Sequence, residues 1–389
     1  MKEEILNRAV RQMNTPCYVF DTDIFMHRVE LVRRAFGNRT KLCYSIKANP
    51  FLLKGLPDGF SLIEVCSPGE LSICEKISAP LDKIVFSGVS KTRTDIERAF
   101  ADGVAMFTAE SKLHVQLVNE CAVAHNARIK MLLRIAHGSQ FGMDTQDVKE
   151  IVSHRKDYEG LDIVGFHYFT GTQKSNAMTI DRELEFLDHF CEEMEKEYGF
   201  SARHIEYGTG LAVEYYKDFT ERTDLELLDK VGAAVRRFSE KYPLTVEMGR
   251  FFTAECGLYL TKVMDIKTNG DTNYVICDGG INQLNYYGQN MAMKVPPICV
   301  LNKYGQESMV DYCLCGSLCT TADILVRKVT LPGLELGDVI CFSRCGAYSI
   351  SEGIANFLSR ELPGVALYNR VDGLVLSRRQ TETYPFHMP

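Results

Sequence analysis

No run of apolar residues in this chain is long enough to cross a membrane as a helix, so no membrane partner is expected. Nor is there a basic block. The net charge is −7, which argues against a nucleic-acid surface. The stretch from Met1 to Thr15 is charged and amphipathic but has no apolar signal core, so a cytoplasmic location is expected rather than secretion. Low-complexity segments and internal repeats are absent. Cysteine is plentiful, at 14 residues, yet it lacks the spacing of a small disulfide scaffold. In a chain of this size such cysteines read as reduced thiols. Cys313, Cys315 and Cys319 lie close together but have no paired C-x2-C knuckles or nearby histidines, so no metal is expected there.

What is present is a long alternation. The 389 residues suit one large domain and a smaller one. Between residues 40 and 250, eight short apolar runs read as strands: Leu42–Ile46, Ser61–Val65, Lys83–Phe86, Val104–Phe107, Lys130–Ile135, Ile163–Phe166, His204–Tyr207 and Thr245–Val246. Segments with helical spacing separate them, among them Pro68–Lys76, Ser111–His125 and Ala177–Tyr198. Eight such units predict an α/β fold, a (β/α)8 TIM barrel, with a doubly wound sheet as the competing architecture. After about residue 258 strands alternate with Gly, Asn and Pro turns, which predicts a second, all-β domain. The early strand Pro16–Phe20 is assigned to it. The expected division is 21–257 for the barrel and 1–20 plus 258–389 for the β domain.

Barrel active sites lie at the C-terminal ends of the strands, and polar residues gather there. Lys47 ends the first strand. A lysine there is costly unless it is bonded or used, and a Schiff base with pyridoxal phosphate is one such use. Gly208-Thr209-Gly210 lets backbone N–H groups approach a phosphate, and Gly249 with Arg250 would complete the cradle; a tight turn is the plainer reading. Glu247 fits a carboxylate facing a pyridine nitrogen, or a local ion pair with Arg250. Phe169 is either a ring-stacking partner or a core aromatic. Arg134 is expected to organise acidic neighbours such as Glu64, and His167 to be structural. Asp278-Gly279-Gly280 reads as a turn. In the β domain, the turn around Cys319 and Asp323 places a thiol that could return a proton to Cα after carbon dioxide leaves, or one more small apolar residue. Gly346-Ala347-Tyr348 presents a phenol.

Together these segments resemble the group IV, fold type III pyridoxal phosphate decarboxylases, which include diaminopimelate, ornithine and arginine decarboxylases. The motifs that carry the resemblance are Tyr44-Ser45-Ile46-Lys47-Ala48-Asn49-Pro50, Ser67-Pro68-Gly69-Glu70-Leu71, Gln140-Phe141-Gly142-Met143, Gly171-Thr172-Gln173, Gly208-Thr209-Gly210, Glu247-Met248-Gly249-Arg250, Cys319 with Asp323, and Gly346-Ala347-Tyr348. The resemblance implies an alanine-racemase-like barrel with a β domain, and a homodimer with shared active sites. Lys47 would then hold pyridoxal 5'-phosphate, Glu247 would face its ring nitrogen, and Thr172 and Tyr348 would lie near its phosphate. Cys319 would come from the second subunit.

Departures from the family pattern bear on substrate. Phe169 stands where the family usually stacks a histidine. Thr320 stands where diaminopimelate decarboxylases place a glutamate that reads the distal amino group. Ile281-Asn282-Gln283-Leu284-Asn285 carries no arginine for a distal carboxylate. Losing such a partner removes on the order of 2–5 kcal/mol of discrimination. Free diaminopimelate is therefore a poor candidate, and ornithine or lysine would need Asp323 to bind the distal ammonium. The stretches Leu318-Cys319-Thr320 and Phe169–Gln173 are closer to decarboxylases of antibiotic and siderophore pathways, whose amino acids are tethered to an acyl carrier protein or conjugated to citrate. The expected activity is decarboxylation of an amino acid or amino-acid conjugate. The alternatives are a racemase of the same fold and a non-catalytic homologue that regulates a partner.

Overall fold

The computed structural model describes residues 1–389 apart from 57–58, 217–220, 287–291, 304 and 306–307. The chain divides into two compact units. One comprises Met1–Arg28, Glu214–Thr220 and Phe252–Pro389; the other comprises Val29–Val213 and Glu221–Phe251.

The chain opens with α1 (Glu3–Met13), β1 (Cys17–Asp21) and α2 (Thr22–Phe36). Then come β2 (Lys41–Ser45), β3 (Leu62–Val65), α3 (Pro68–Lys76), β4 (Ile84–Phe86), α4 (Arg93–Ala101), β5 (Met106–Ala109), α5 (Lys112–Ala124), β6 (Ile129–Ile135), α6 (Thr145–Ser153), β7 (Leu161–Phe169), α7 (Ala177–Tyr198), β8 (His204–Gly208), α8 (Glu221–Lys241) and β9 (Leu244–Met248). Strands β2 to β9 form a closed parallel barrel in chain order, with β9 pairing back onto β2. Each of the eight apolar runs is one of these strands. The last, expected as Thr245–Val246, is longer than expected because the polar Glu247 interrupts the apolar pattern before Met248.

Side chains on each strand alternate between the barrel interior and the helices. On β7 and β8 the helix-facing residues are Phe166, whose ring meets Phe190 and Phe200, and Tyr207, whose hydroxyl donates to Glu183 of α7 at 2.5 Å. The residues between them point inward. Val85, Met106, Leu132 and Val164, from four consecutive strands, form one buried apolar cluster. Two residues beyond Leu132 on the same face is Arg134, so an apolar layer gives way to a polar one toward the strand C-termini.

The second unit is built on one sheet. Its further elements are α9 (Arg250–Thr253, which straddles the unit boundary), β10 (Gly257–Asn269), β11 (Thr272–Cys277), β12 (Ile298–Val300), β13 (Met309–Cys315), β14 (Ile324–Pro332), β15 (Val339–Ser343), β16 (Gly364–Asn369) and β17 (Gly373–Arg378). The strand order is β14-β13-β11-β10-β1-β16-β17, with β15 paired to β10 and β12. Strand β1 therefore belongs to this sheet. The unit is not purely β. Helix α1 packs Leu6, Ala9 and Met13, at helical spacing, against Cys17, Val19, Leu260 and Ala366. Asp278 is a turn residue that ties strands together: it accepts from Thr15 Oγ1 at 2.5 Å, Thr261 Oγ1 at 2.7 Å and Lys262 N at 2.8 Å.

Gly165 sets the register of β7 on β8. It pairs with His204, so that His167 pairs with Glu206. A Cβ on Gly165 would fall 1.9 Å from the His204 carbonyl oxygen, and backbone cannot yield there. Gly165→Ala is expected to cost about 2–3 kcal/mol, measured as a lower urea unfolding midpoint.

Candidate active site

Lys47 lies just past the end of β2, in a single 3-10 turn, Ile46–Ala48. The surrounding motif is local architecture. The Tyr44 hydroxyl donates to the Asn49 carbonyl at 2.7 Å, and the Asn49 side chain accepts from Phe51 N at 3.1 Å. These bonds hold the turn that carries Lys47. Its Nζ donates to Glu64 Oε2 at 2.7 Å and lies 3.5 Å from both Glu247 Oε1 and Cys66 Sγ. Glu64 and Glu247 are buried, whereas the Lys47 side chain remains 38% exposed. The amine is thus reachable from the rim while anchored to two buried carboxylates.

Donors converge on Glu247. Ser45 Oγ donates to its Oε1 at 2.6 Å, and His167 Nε2 lies 2.9 Å from its Oε2. Burial opposes ionisation, but the Lys47 charge and the His167 contact outweigh it and hold Glu247 well below the usual carboxylate range. Beside it, Glu64 is pushed up by burial and by the Glu247 charge, with Lys47 pulling the other way. Glu247 is met by Ser45, Lys47 and His167, whereas Glu64 has only the shared Lys47 and the weakly donating Cys66 thiol, which is the reason to assign the standing negative charge to Glu247. The Cys66 thiol is pushed well up, first by burial and then by Glu64, and donates to Glu64 Oε1 at 3.3 Å.

Around the rim, motif residues hold loops. Ser67 caps α3 by accepting from Glu70 N, and Glu70 accepts from Cys66 N at 2.6 Å. Arg134 pairs with Glu110 at 2.5 Å, which corrects the expected pairing with Glu64; that carboxylate is taken by Lys47. Glu110 also accepts from Gly142 N at 2.8 Å, and the Arg134 guanidinium lies 4.8 Å from the Phe141 ring centroid, so Arg134 and Glu110 hold the Gln140–Met143 turn.

The loops after β7 and β8 are laced together. Gln173 exchanges two hydrogen bonds with the Val213 backbone, and Lys174 N donates to Gly210 O. Gly210 has φ +59, and a Cβ there would meet the Gly171 carbonyl oxygen at 2.0 Å, so only glycine fits. Thr209 is fully buried with no hydrogen-bond partner for Oγ1. Arg250 Nε donates to Thr172 Oγ1 at 3.3 Å, and Gly249 directly precedes Arg250 after β9. Phe169 is half-buried at the end of β7 beside Gly208, with Lys174 Nζ 5.8 Å from its ring centroid.

The structure thus gathers Lys47 and Glu247 at one place, and Thr172 and Arg250 at another. Cys319, Thr320, Asp323 and Tyr348 belong to the sheet unit. Cys319 is exposed and Thr320 partly so. Asp323, expected to be available to a substrate ammonium, is 3% exposed and accepts from Ile281 N at 2.8 Å and Leu318 N at 2.7 Å. It holds its own turn. Tyr348 has left-handed backbone, φ 64, a conformation uncommon for a bulky side chain and found where a turn must aim it.

Sequence reasoning left Glu206 and Lys91 out. Glu206 is the acidic residue between Ile205 and Tyr207 on a strand whose alternation turns it inward; that alternation was the available signal. Lys91 is 5% exposed and donates to the Gly88 carbonyl.

Two properties fit a pyridoxal phosphate group. A reachable amine sits beside an anionic carboxylate, and a glycine-flanked loop holds an orphaned buried hydroxyl at Thr209. Comparison with known proteins points the same way. The family model "Pyridoxal-dependent decarboxylase, pyridoxal binding domain" matches residues 23–254. The L-glutamyl-[BtrI acyl-carrier protein] decarboxylase of Niallia circulans is 26% identical over 96% of this chain and 93% of its own length. The diaminopimelate decarboxylase of Aquifex aeolicus is 26% identical over 89% of this chain and 85% of its own. The crystal structure of diaminopimelate decarboxylase from M. jannaschii with L-lysine superposes with a TM-score of 0.84 at 25% identity, covering 96% of this chain and 91% of that one.

Burial pushes the Lys91 ammonium down to about 8, against the raising influence of Glu110 and Cys66. Below that pH both folded and unfolded chains carry the charge and the burial penalty stands in full. Between about 8 and about 10.5 the unfolded chain binds more protons, so stability rises with pH. Lys91→Met is therefore expected to stabilise the fold by about 2–3 kcal/mol at pH 7, with the gain vanishing above about pH 10.5; paired unfolding midpoints at the two pH values measure it.

Proposed function

The chain belongs to the pyridoxal-dependent decarboxylases, carboxy-lyases that work through pyridoxal phosphate, and on that premise we propose that it removes the α-carboxylate of an amino-acid conjugate at a site built on Lys47. The observation that carries this reading is the Lys47 amine, exposed to the rim yet bonded at 2.7 Å to buried Glu64 and set 3.5 Å from Glu247.

Bound through Lys47, pyridoxal phosphate supplies an acceptor for the electron pair left at Cα when the carboxylate departs. The residues of this chain do the rest. Lys47 Nζ would hold the group covalently. Glu247, kept anionic by Ser45, Lys47 and His167, would hold a proton on the ring nitrogen. The Gly208-Thr209-Gly210 backbone, the Thr209 and Thr172 hydroxyls, Gly249, Arg250 and the Tyr348 phenol are assigned to the phosphate. Phe169 offers an apolar face to the ring. It also removes the titratable group that a histidine would place there. Arg134 acts at one remove, through Glu110 and the Gln140–Met143 turn.

Cys319, contributed by the second subunit of a homodimer, is assigned the return of a proton to Cα. A thiol on an exposed turn is available to a neighbouring chain, as this role requires. Thr320 beside it is neutral and suits a substrate whose distal end is an amide or thioester rather than an ammonium. The turn-holding role of Asp323 supports the same choice, because its carboxylate is occupied by two backbone donors. An acyl carrier protein is then the partner that presents the substrate, as in the relative from Niallia circulans. Among the described residues no helix is long and apolar enough to cross a membrane; the site of action proposed is the cytoplasm.

Carbon dioxide release by the cofactor-loaded protein is expected from carrier-tethered or citryl-conjugated amino acids and not from free diaminopimelate, lysine or ornithine. Release from a free diamino acid at comparable kcat/KM would overturn the assignment of Thr320. Lys47→Ala should abolish turnover together with the visible absorbance of bound cofactor. Cys319→Ala should lower kcat by about 10²–10³, and an unchanged rate and product would remove it from the mechanism.

A further inference from the structure

Beneath Glu247 the barrel holds an acid with no part in the chemistry above. Glu206, on β8, is 0% exposed. Its neighbours in register are His167 on β7 and Thr245 on β9. One nitrogen of His167, one oxygen of Glu206 and one oxygen of Glu247 all lie within 4.8 Å of one another. Even so, neither Glu206 oxygen has a hydrogen-bond partner. The nearest basic atom on its own strand is His204 Nε2, 3.8 Å from Glu206 Oε2, too far to hydrogen-bond and itself without a partner.

An ionised carboxylate in this position would lack any donor, and the groups around it would not supply a charge. Glu247 from β9 and Glu64 from β3 repel it. Lys47, beyond β2, is already bonded to Glu64 at 2.7 Å. Cys43 on β2 is a thiol pushed up first by burial and then by Glu206 itself. His204 is pushed down to about 4 by burial and by Lys41, Lys130 and His167, so it is neutral at physiological pH. Burial first, then Glu247 and Glu64, drive the Glu206 acid well above the usual range against the opposing pull of Lys47. Geometry and charge therefore agree on the protonated form.

We propose that Glu206 is held as a neutral carboxylic acid and acts as the charge spacer of the barrel floor, adding no further negative charge beside Glu247, the anion assigned to the cofactor ring nitrogen. A second negative charge at this range would raise the proton affinity of Glu247 and weaken its hold on a ring proton. Glu206 is thus a positioning residue that acts through Glu247. Its role toward the ring rests on the function proposed above, but its protonation does not. The same three side chains could also ligate a divalent cation, which would require Glu206 to be ionised, so the two readings predict opposite results.

The test uses the full chain and E206Q, with and without bound cofactor. Glutamine keeps the shape and never titrates. An acid whose folded pKa is raised contributes its full stability below the unfolded value, near pH 4.5, and loses it as pH rises toward the folded value. The melting temperature of E206Q should therefore match the native chain below about pH 4.5 and exceed it by roughly 2 °C for each further pH unit up to pH 8. EDTA should change neither protein. Infrared spectra at pH 8 should show the carbonyl stretch of a protonated carboxylic acid in the native chain and lose it in E206Q. A lower melting temperature for E206Q at pH 8, an EDTA-induced fall confined to the native chain, or the absence of that infrared band would each overturn the inference. Failure of the cofactor assignment would appear instead in the Lys47→Ala protein and would leave the infrared band in place.

Discussion

Closing eight strands into a ring forces their inward side chains into one confined volume, and there a charge must be matched by an opposite charge or by donors. Lys47, Glu64, Glu247 and His167 come from four different strands or their ends, and each is acceptable only because the others are present. Glu64 and Glu247 are buried but share the Lys47 ammonium, and Glu247 takes Ser45 and His167 besides. The apolar cluster of Val85, Met106, Leu132 and Val164 closes off water on one side. The polar layer is therefore open on the rim side, where the Lys47 side chain stays 38% exposed.

The rim shows how a chemical site is held by ordinary loop physics. Several residues that mark the family resemblance spend their visible bonds on backbone. Asn49 and Tyr44 shape the lysine turn, Ser67 and Glu70 start α3, Gln173 laces one loop to the next, and Asp323 closes its own turn. Others have unspent capacity. The Thr209 hydroxyl is buried and unpartnered, and Cys319 is exposed. The contrast separates residues that build the site from residues available to a bound group.

The alternation of apolar runs and helical segments made the barrel legible, because one face of each element had to be buried and the period of that face is visible in sequence. The sheet unit was legible from turn residues and short apolar runs. Helix α1 was read only as a charged, amphipathic stretch and not as an element of the sheet unit, because its buried face is just Leu6, Ala9 and Met13. The short strand Ile298–Val300 and the strand Gly373–Arg378 were missed for a related reason: with three residues, or with apolar residues running consecutively from Leu374 to Leu376, neither shows an alternating face. That Lys47, Glu247 and Gly208-Thr209-Gly210 lie at strand ends was also legible, since each is an unusual residue or turn at the close of an apolar run.

Composition and periodicity by themselves determined that this chain forms a ring of βα units with polar strand ends and a lysine among them, because burial of apolar faces is a local requirement repeated along the sequence. Which carboxylate meets which cation was decided only by the tertiary structure. Arg134 takes Glu110 and not Glu64, Lys47 takes Glu64, and Glu206 and His167 come together under Glu247. These residues lie tens to hundreds of positions apart, and their pairing depends on barrel register. A shift of one residue in register turns every inward side chain outward, and no local pattern in the sequence records that register.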